Sequence, residues 1–267
     1  MFADFHNDIL TATGGDLPTE YIDNNIITAV FRGNRNFKRA FSMAAKARLL
    51  AYEDVGYEDL DYNLFFKRKP IYVGLTWNGE NRFGYGCNFE KGLKKEGLDF
   101  IELLNSEKIA IDCAHISKGG FKDVIEKAEI VVDSHTCFSE VFEHKRNLDK
   151  WQLNELVKRN ALIGVTCCGY FMTDKKHCKI SDFIRQIDYF VQNFGVDNLA
   201  IGTDFYGCDF LAGNILGYDD LSASVRKGLK RLGYDHNSVD KILYNNLLLF
   251  TEKIKNKQNG FDSENHL

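Results

Sequence analysis

The stretch "FADFHNDIL", residues 2–10, decides how the rest of this chain is read. It is a short apolar run that ends on an imidazole, His6, and a carboxylate, Asp8. Side chains alternate sides along an extended segment, so these two project the same way and can reach one point. Seven later runs share the apolar, β-branched character. They are "ITAVF" (27–31), "LLAYE" (49–53), "IYVGLTW" (71–77), "KIAIDCAH" (108–115), "EIVVDSH" (129–135), "ALIGVTC" (161–167) and "LAIGTDF" (199–205). All eight are continuous rather than strictly alternating, as expected of strands covered by helices on a parallel sheet.

Helical spacing fills the connections. Residues 36–47, 92–106, 148–160, 180–195, 221–233 and 238–254 each carry apolar positions at helical intervals, and Ser181 is placed to cap the helix that follows it. Eight strands alternating with helices predict an α/β fold, a (β/α)8 barrel of the TIM type, with a doubly wound open sheet as the alternative. No linker or internal repeat divides the chain, so residues 1–255 read as one domain and 256–267 as a polar tail.

The totals agree with a single large domain. The chain has 267 residues, of which 44% are apolar and 13% aromatic, enough for a substantial core. Its formal charge is −4, from 34 basic and 38 acidic residues that are interspersed, which gives no footprint for nucleic acid. No signal segment, membrane-spanning run or lipidation motif is visible, so the expectation is a cytoplasmic protein with no membrane partner. Seven cysteines without a CxxC pair are expected to stay reduced.

In a barrel of this kind, chemistry gathers at the C-terminal ends of the strands. His6 and Asp8 follow the first run, Glu53 ends the third, His115 ends the fifth, His135 ends the sixth and Asp204 closes the eighth. One such residue is ordinarily a helix cap or a loop side chain. Six at one rim, drawn from about 200 positions, predict a metal site, because imidazoles and carboxylates make poor core residues unless paired or metallated. The donor types suit zinc or a related divalent ion. Their surplus over one tetrahedral site predicts two ions sharing a bridging carboxylate. "FGYG" lacks the lysine of a phosphate loop and reads as a flexible rim segment, and His144, His177 and His236 read as loop or surface residues.

These same motifs resemble the membrane dipeptidase (renal dipeptidase-like) family of zinc hydrolases, within the amidohydrolase group. "DFHND" resembles its opening metal motif, "LLAYEDVG" its bridging-acid segment, and "IDCAHIS" and "VVDSHTCF" its two later histidine motifs. "HKRNLD" resembles its substrate-binding arginine segment, giving Arg146, and "LAIGTDF" its active-site aspartate. The resemblance runs from residue 2 to about residue 250. It implies a (β/α)8 barrel, two zinc ions, hydrolysis of dipeptides with a free C-terminal carboxylate, and homodimers. His6, Asp8 and bridging Glu53 would hold one ion, and Glu53, His115 and His135 the other.

Asp204 then becomes the proton-transferring residue and Arg146 the reader of the substrate carboxylate. Trp77 stands where better-known relatives have a histidine, and is expected as an apolar wall at the pocket mouth. Asn81 is expected to reach across the substrate. Tyr206 occupies a frequent aspartate position, and "LYNNLLLF" replaces a typical glycine-rich, arginine-containing ending. Two other functions fit the same residues: hydrolysis of a non-peptide amide, cyclic amide or ester, and ligand or partner binding by a metal-stabilised barrel without turnover.

Overall fold

The computed structural model describes residues 1–18, 25–58 and 60–260. Eight strands run β1 (Asp4–Asn7), β2 (Ile26–Phe31), β3 (Leu49–Glu53), β4 (Tyr72–Gly74), β5 (Ala110–Asp112), β6 (Val131–Thr136), β7 (Leu162–Val165) and β8 (Leu199–Ile201). Their order in the sheet is consecutive, β1 to β8, and every neighbouring pair is parallel.

The ends of this sheet meet. A parallel bridge joins Asn7 to Phe205. The Asp204 N–H donates to the His6 carbonyl at 3.0 Å, and the Asp8 N–H to the Phe205 carbonyl at 2.9 Å. The buried Asp4 carboxylate ties the same seam, accepting from the Thr203 N–H at 2.8 Å, the Thr203 hydroxyl at 2.7 Å and the Tyr218 hydroxyl at 2.7 Å. Burial pushes the Asp4 carboxyl up to about 6, with those hydrogen bonds opposing the rise. Consecutive order with a closed seam is a (β/α)8 barrel and excludes the doubly wound sheet.

Two apolar layers follow from the strand period of two. Phe5, Ile27, Ala29, Leu49, Ala51, Tyr72, Ala110, Val132, Leu162 and Ala200 fill the interior, with Leu247 and Ile254 of the last helix packed on the same cluster. Val30, Leu50, Tyr52, Val73, Ile111, Ile163 and Leu199 face the other way, against Phe41, Phe65, Phe100, Phe121, Leu153, Phe183 and Val225 of the helices. Every expected run contains a strand, but four of the eight strands stop early. β4 ends at Gly74, β5 at Asp112 and β8 at Ile201, and the residues beyond leave the ladder to build the rim.

Two local expectations are corrected. The helix Ile180–Phe194 begins before Ser181, so that serine lies inside it, and Asp182 instead accepts from the Lys179 N–H at 3.0 Å. The last helix, Asn246–Gln258, extends three residues into the segment expected as a tail, whose residues 261–267 lie outside the described chain. Among the described residues no helix is long and apolar enough to cross a membrane.

Candidate metal centre and active site

Glu53 continues the inward row of Leu49 and Ala51 and so enters the barrel mouth from β3. His6 lies in β1 and His135 in β6, while Asp8, His115 and Asp204 stand on the segments after β1, β5 and β8. His115 and Asp204 hold left-handed backbones, with φ of 65° and 58°. Such conformations cost about 1–3 kcal/mol at non-glycine positions and cluster at functional sites. Here they are held by hydrogen bonds: the His115 carbonyl accepts from Cys87 at 2.7 Å, and the Asp204 carbonyl from Gly207 at 3.1 Å and Cys208 at 3.0 Å.

The five expected ligands converge and are buried. Their donor atoms form two groups that could each hold a metal ion, His6–Asp8–Glu53 and Glu53–His115–His135, with Glu53 common to both. Its Oε1 lies 3.0 Å from His115 Nε2, and its Oε2 4.0 Å from His6 Nε2. His115 Nε2 and His135 Nε2 stand 2.9 Å apart.

Hydrogen bonding on the far side of each ring sets its tautomer. Tyr72 gives its only hydroxyl proton to the Phe5 carbonyl, so at 2.8 Å it accepts from His6 Nδ1. Ser134 gives its proton to Asp112 at 2.5 Å, so at 2.8 Å it accepts from His135 Nδ1. The Asn78 amide oxygen is 2.8 Å from His115 Nδ1 and can only accept. All three Nε2 atoms therefore turn toward one another as ligand atoms, as metal-bound imidazoles backed by outer hydrogen bonds do. His6 Nε2, Asp8 Oδ1 and Glu53 Oε1 are buried and have no hydrogen-bond partner, which a cation would supply. The residues fit a divalent metal ion.

Charge crowding points the same way. Burial, then the Asp8 charge, pushes Glu53 well above the carboxylate range. The same causes lift Asp204 to about 7, against the opposing pull of His6 and Arg146. Burial would lower His6, but the Asp8, Glu53 and Asp204 carboxylates outweigh it and raise it to about 10. Burial drives His115 and His135 well below the usual imidazole value. Packed carboxylates that draw a proton onto His6, beside the neutral imidazoles of His115 and His135, form a set whose proton a divalent ion would replace.

Asn78, the residue just beyond the run "IYVGLTW", carries no signal in the sequence that singles it out. Asn78→Ala should weaken zinc binding about 10–100-fold, because His115 loses its orienting acceptor. Asn78→Asp, which keeps an acceptor, should restore much of it; a competitive chelator titration measures both.

Asn81, expected at the substrate, is committed elsewhere. Its Nδ2 donates to Asp54 and the Leu75 carbonyl, both at 2.8 Å, and its Oδ1 accepts from Phe83 at 2.8 Å and Gly84 at 3.1 Å. With both ends saturated, Asn81 clamps the loop after β4 and does not line the mouth. Trp77 does line it, 42% exposed, with its ring 5.3 Å from Phe31 and 5.9 Å from His115. Arg146 is buried, donates to the His135 carbonyl at 3.2 Å and lies 5.3 Å over the Phe171 ring, with its Nε unpartnered.

The cysteine expectation is also corrected in one place. Cys168 and Cys208 are paired as a disulfide between the β7 and β8 segments, while Cys87, Cys113, Cys137, Cys167 and Cys178 are free thiols. The two partners are 40 residues apart, and only the adjacency of their strands brings them together. Between Asp204 and Cys208 the chain makes a tight turn. A Cβ at Gly207 would come within 2.2 Å of Asp204 Oδ1 and 2.3 Å of Asp8 Oδ2. The backbone therefore presses directly on both carboxylates.

Above the cluster opens a cavity of about 180 Å³, with Asp8, Glu53, His115 and Asp204 below and Phe31, Trp77, Asn78, Tyr170 and Phe171 around it. That is smaller than the roughly 300–1,000 Å³ typical of drug-sized ligands, and suits a small substrate.

Comparison with known proteins matches this geometry. A Klebsiella pneumoniae protein described as "Uncharacterized protein in pqqA 5'region" is 29% identical over 206 residues, 72% of this chain and 74% of that one. The crystal structure of a dipeptidase AC of family M19 superposes with a TM-score of 0.80 at 20% identity, covering 94% of this chain and 97% of that one. A Rhodobacter sphaeroides metallopeptidase, liganded with a phosphinate mimic of the dipeptide L-Ala-D-Ala, gives 0.81 at 18% identity over 95% and 99%. The profile of the membrane dipeptidase family matches residues 64–265, a span that contains His115, His135, Arg146 and Asp204 and begins after Glu53. The chain belongs to the membrane dipeptidase family, Peptidase family M19, and its barrel and donor cluster are those of a metal-dependent hydrolase.

Proposed function

We propose that this protein hydrolyses dipeptides bearing a free C-terminal carboxylate, using two divalent ions, zinc by donor type, at His6, Asp8, Glu53, His115 and His135. The observation that carries the reading is the pair of ligand groups joined through Glu53 at the barrel mouth. Such ions, when bound, supply a Lewis acid for the scissile carbonyl and make water a nucleophile at neutral pH.

The chain's own residues do the rest. Asp204 takes a proton from the attacking water and returns it to the leaving amine. Arg146, its guanidinium braced by Phe171 and the His135 carbonyl, reads the substrate carboxylate with its planar fork. Asn78, Tyr72 and Ser134 keep the three imidazoles in register.

The test is metal content together with hydrolysis of a mixed dipeptide library that includes D-residues at the C-terminal position. Expected are two transition ions per chain and turnover that vanishes when the C-terminal carboxylate is amidated. A zinc-loaded protein inert on every dipeptide but active on non-peptide amides overturns the proposal.

A further inference from the structure

Two aromatic pairs border the mouth, and the strand order fixes how they face each other. Phe31 ends β2 and Trp77 follows β4, so they flank Glu53 at the end of β3. Tyr170 and Phe171 follow β7, which lies opposite β3 in a ring of eight strands. The Arg146 guanidinium lies over Phe171, behind that far side rather than among the residues that line the mouth. A dipeptide whose carboxylate is read there and whose scissile carbonyl sits over Glu53 must direct its N-terminal residue toward Phe31 and Trp77.

That surface is unusual for a polar pocket. Trp77 is 42% exposed although it is large and apolar, and its ring packs only partly, against Phe31 and His115. A half-exposed indole beside a cavity leaves an aromatic face free to cover an apolar group. Resting on the dipeptidase reading above, we propose that Trp77 and Phe31 form the seat for the N-terminal side chain, selecting dipeptides whose first residue is bulky and apolar over those beginning with glycine.

Covering a large apolar side chain contributes enough for about a ten-fold preference in kcat/KM. The zinc-loaded protein should therefore favour Phe-Ala over Gly-Ala by about that factor. Trp77→Ala should collapse the Phe-Ala to Gly-Ala ratio chiefly through KM, and Trp77→Phe should retain most of it. A second readout does not depend on turnover. The chain has two tryptophans, and in a Trp151→Phe background Trp77 is the single reporter. A phosphinate analogue of Phe-Ala should shift its emission and bind about ten-fold tighter than the analogue of Gly-Ala.

Dipeptide turnover with no Phe-Ala preference, or a preference that survives Trp77→Ala, overturns this inference and leaves the dipeptidase reading standing. Failure to hydrolyse any dipeptide overturns both.

Discussion

Asp204→Asn should leave both ions bound and lower kcat by about 10²–10⁴-fold. Asparagine preserves the size of the side chain, and the left-handed backbone at this position, φ 58°, tolerates it well. It can neither take a proton from water nor give one to an amine. In the wild-type enzyme the acid limb of kcat/KM should reflect ionisation of Asp204, with activity falling as the carboxylate is protonated. Burial and Asp8 raise its value to about 7 in the protein alone, and nearby cations would move the limb to lower pH. The variant's residual activity should lack this limb. Metal analysis decides the outcome: loss of the ions from Asp204→Asn would make Asp204 a ligand, and retained metal with unchanged kcat would remove it from the chemistry.

Glu53→Gln should do the opposite and empty the site. The two Glu53 oxygens point into different halves of the cluster, Oε1 at 3.0 Å from His115 Nε2 and Oε2 at 4.0 Å from His6 Nε2. A carboxylate can therefore serve both ions at once. Glutamine turns one oxygen into an amino group with no lone pair to offer, and removes the negative charge. The expected result is loss of both ions on dialysis against a chelator that leaves the wild-type enzyme loaded, with activity lost in parallel. The melting temperature of the wild type should rise on zinc addition, because the ion binds only the folded chain, and that rise should be absent in the variant. A Glu53→Gln protein that keeps two ions would show that Glu53 is not shared.

Much of this was legible in the sequence because a barrel imposes two strong patterns. Parallel strands covered on both sides must be apolar throughout, so "LLAYE" and "EIVVDSH" stand out, and a polar residue at their ends has only the rim to occupy. What was not legible depends on where the chain goes after leaving the ladder. β4 stops at Gly74, and within the following loop Asn78 turns to His115 while Asn81 turns to the loop's own backbone. Two asparagines three positions apart carry no signal to separate them. Cys168 and Cys208 are likewise remote in sequence and adjacent only because β7 and β8 are neighbours. Asp4 looked like part of an apolar run, but its partners, Thr203 and Tyr218, lie about 200 residues away.

That last pairing carries a consequence for synthesis. His6 and Asp8 leave the ribosome 195 or more residues ahead of Thr203, Asp204 and Phe205, which join them across the seam. At about 5–20 residues per second, the early half of the site waits roughly 10–40 s for the late half. The five proposed ligands are all made by residue 135, but Asp204 cannot stand over them until the seam closes. The proposed proton carrier therefore arrives after the ligands it serves, and a nascent chain arrested before β8 should have the donor set without the group that moves the proton.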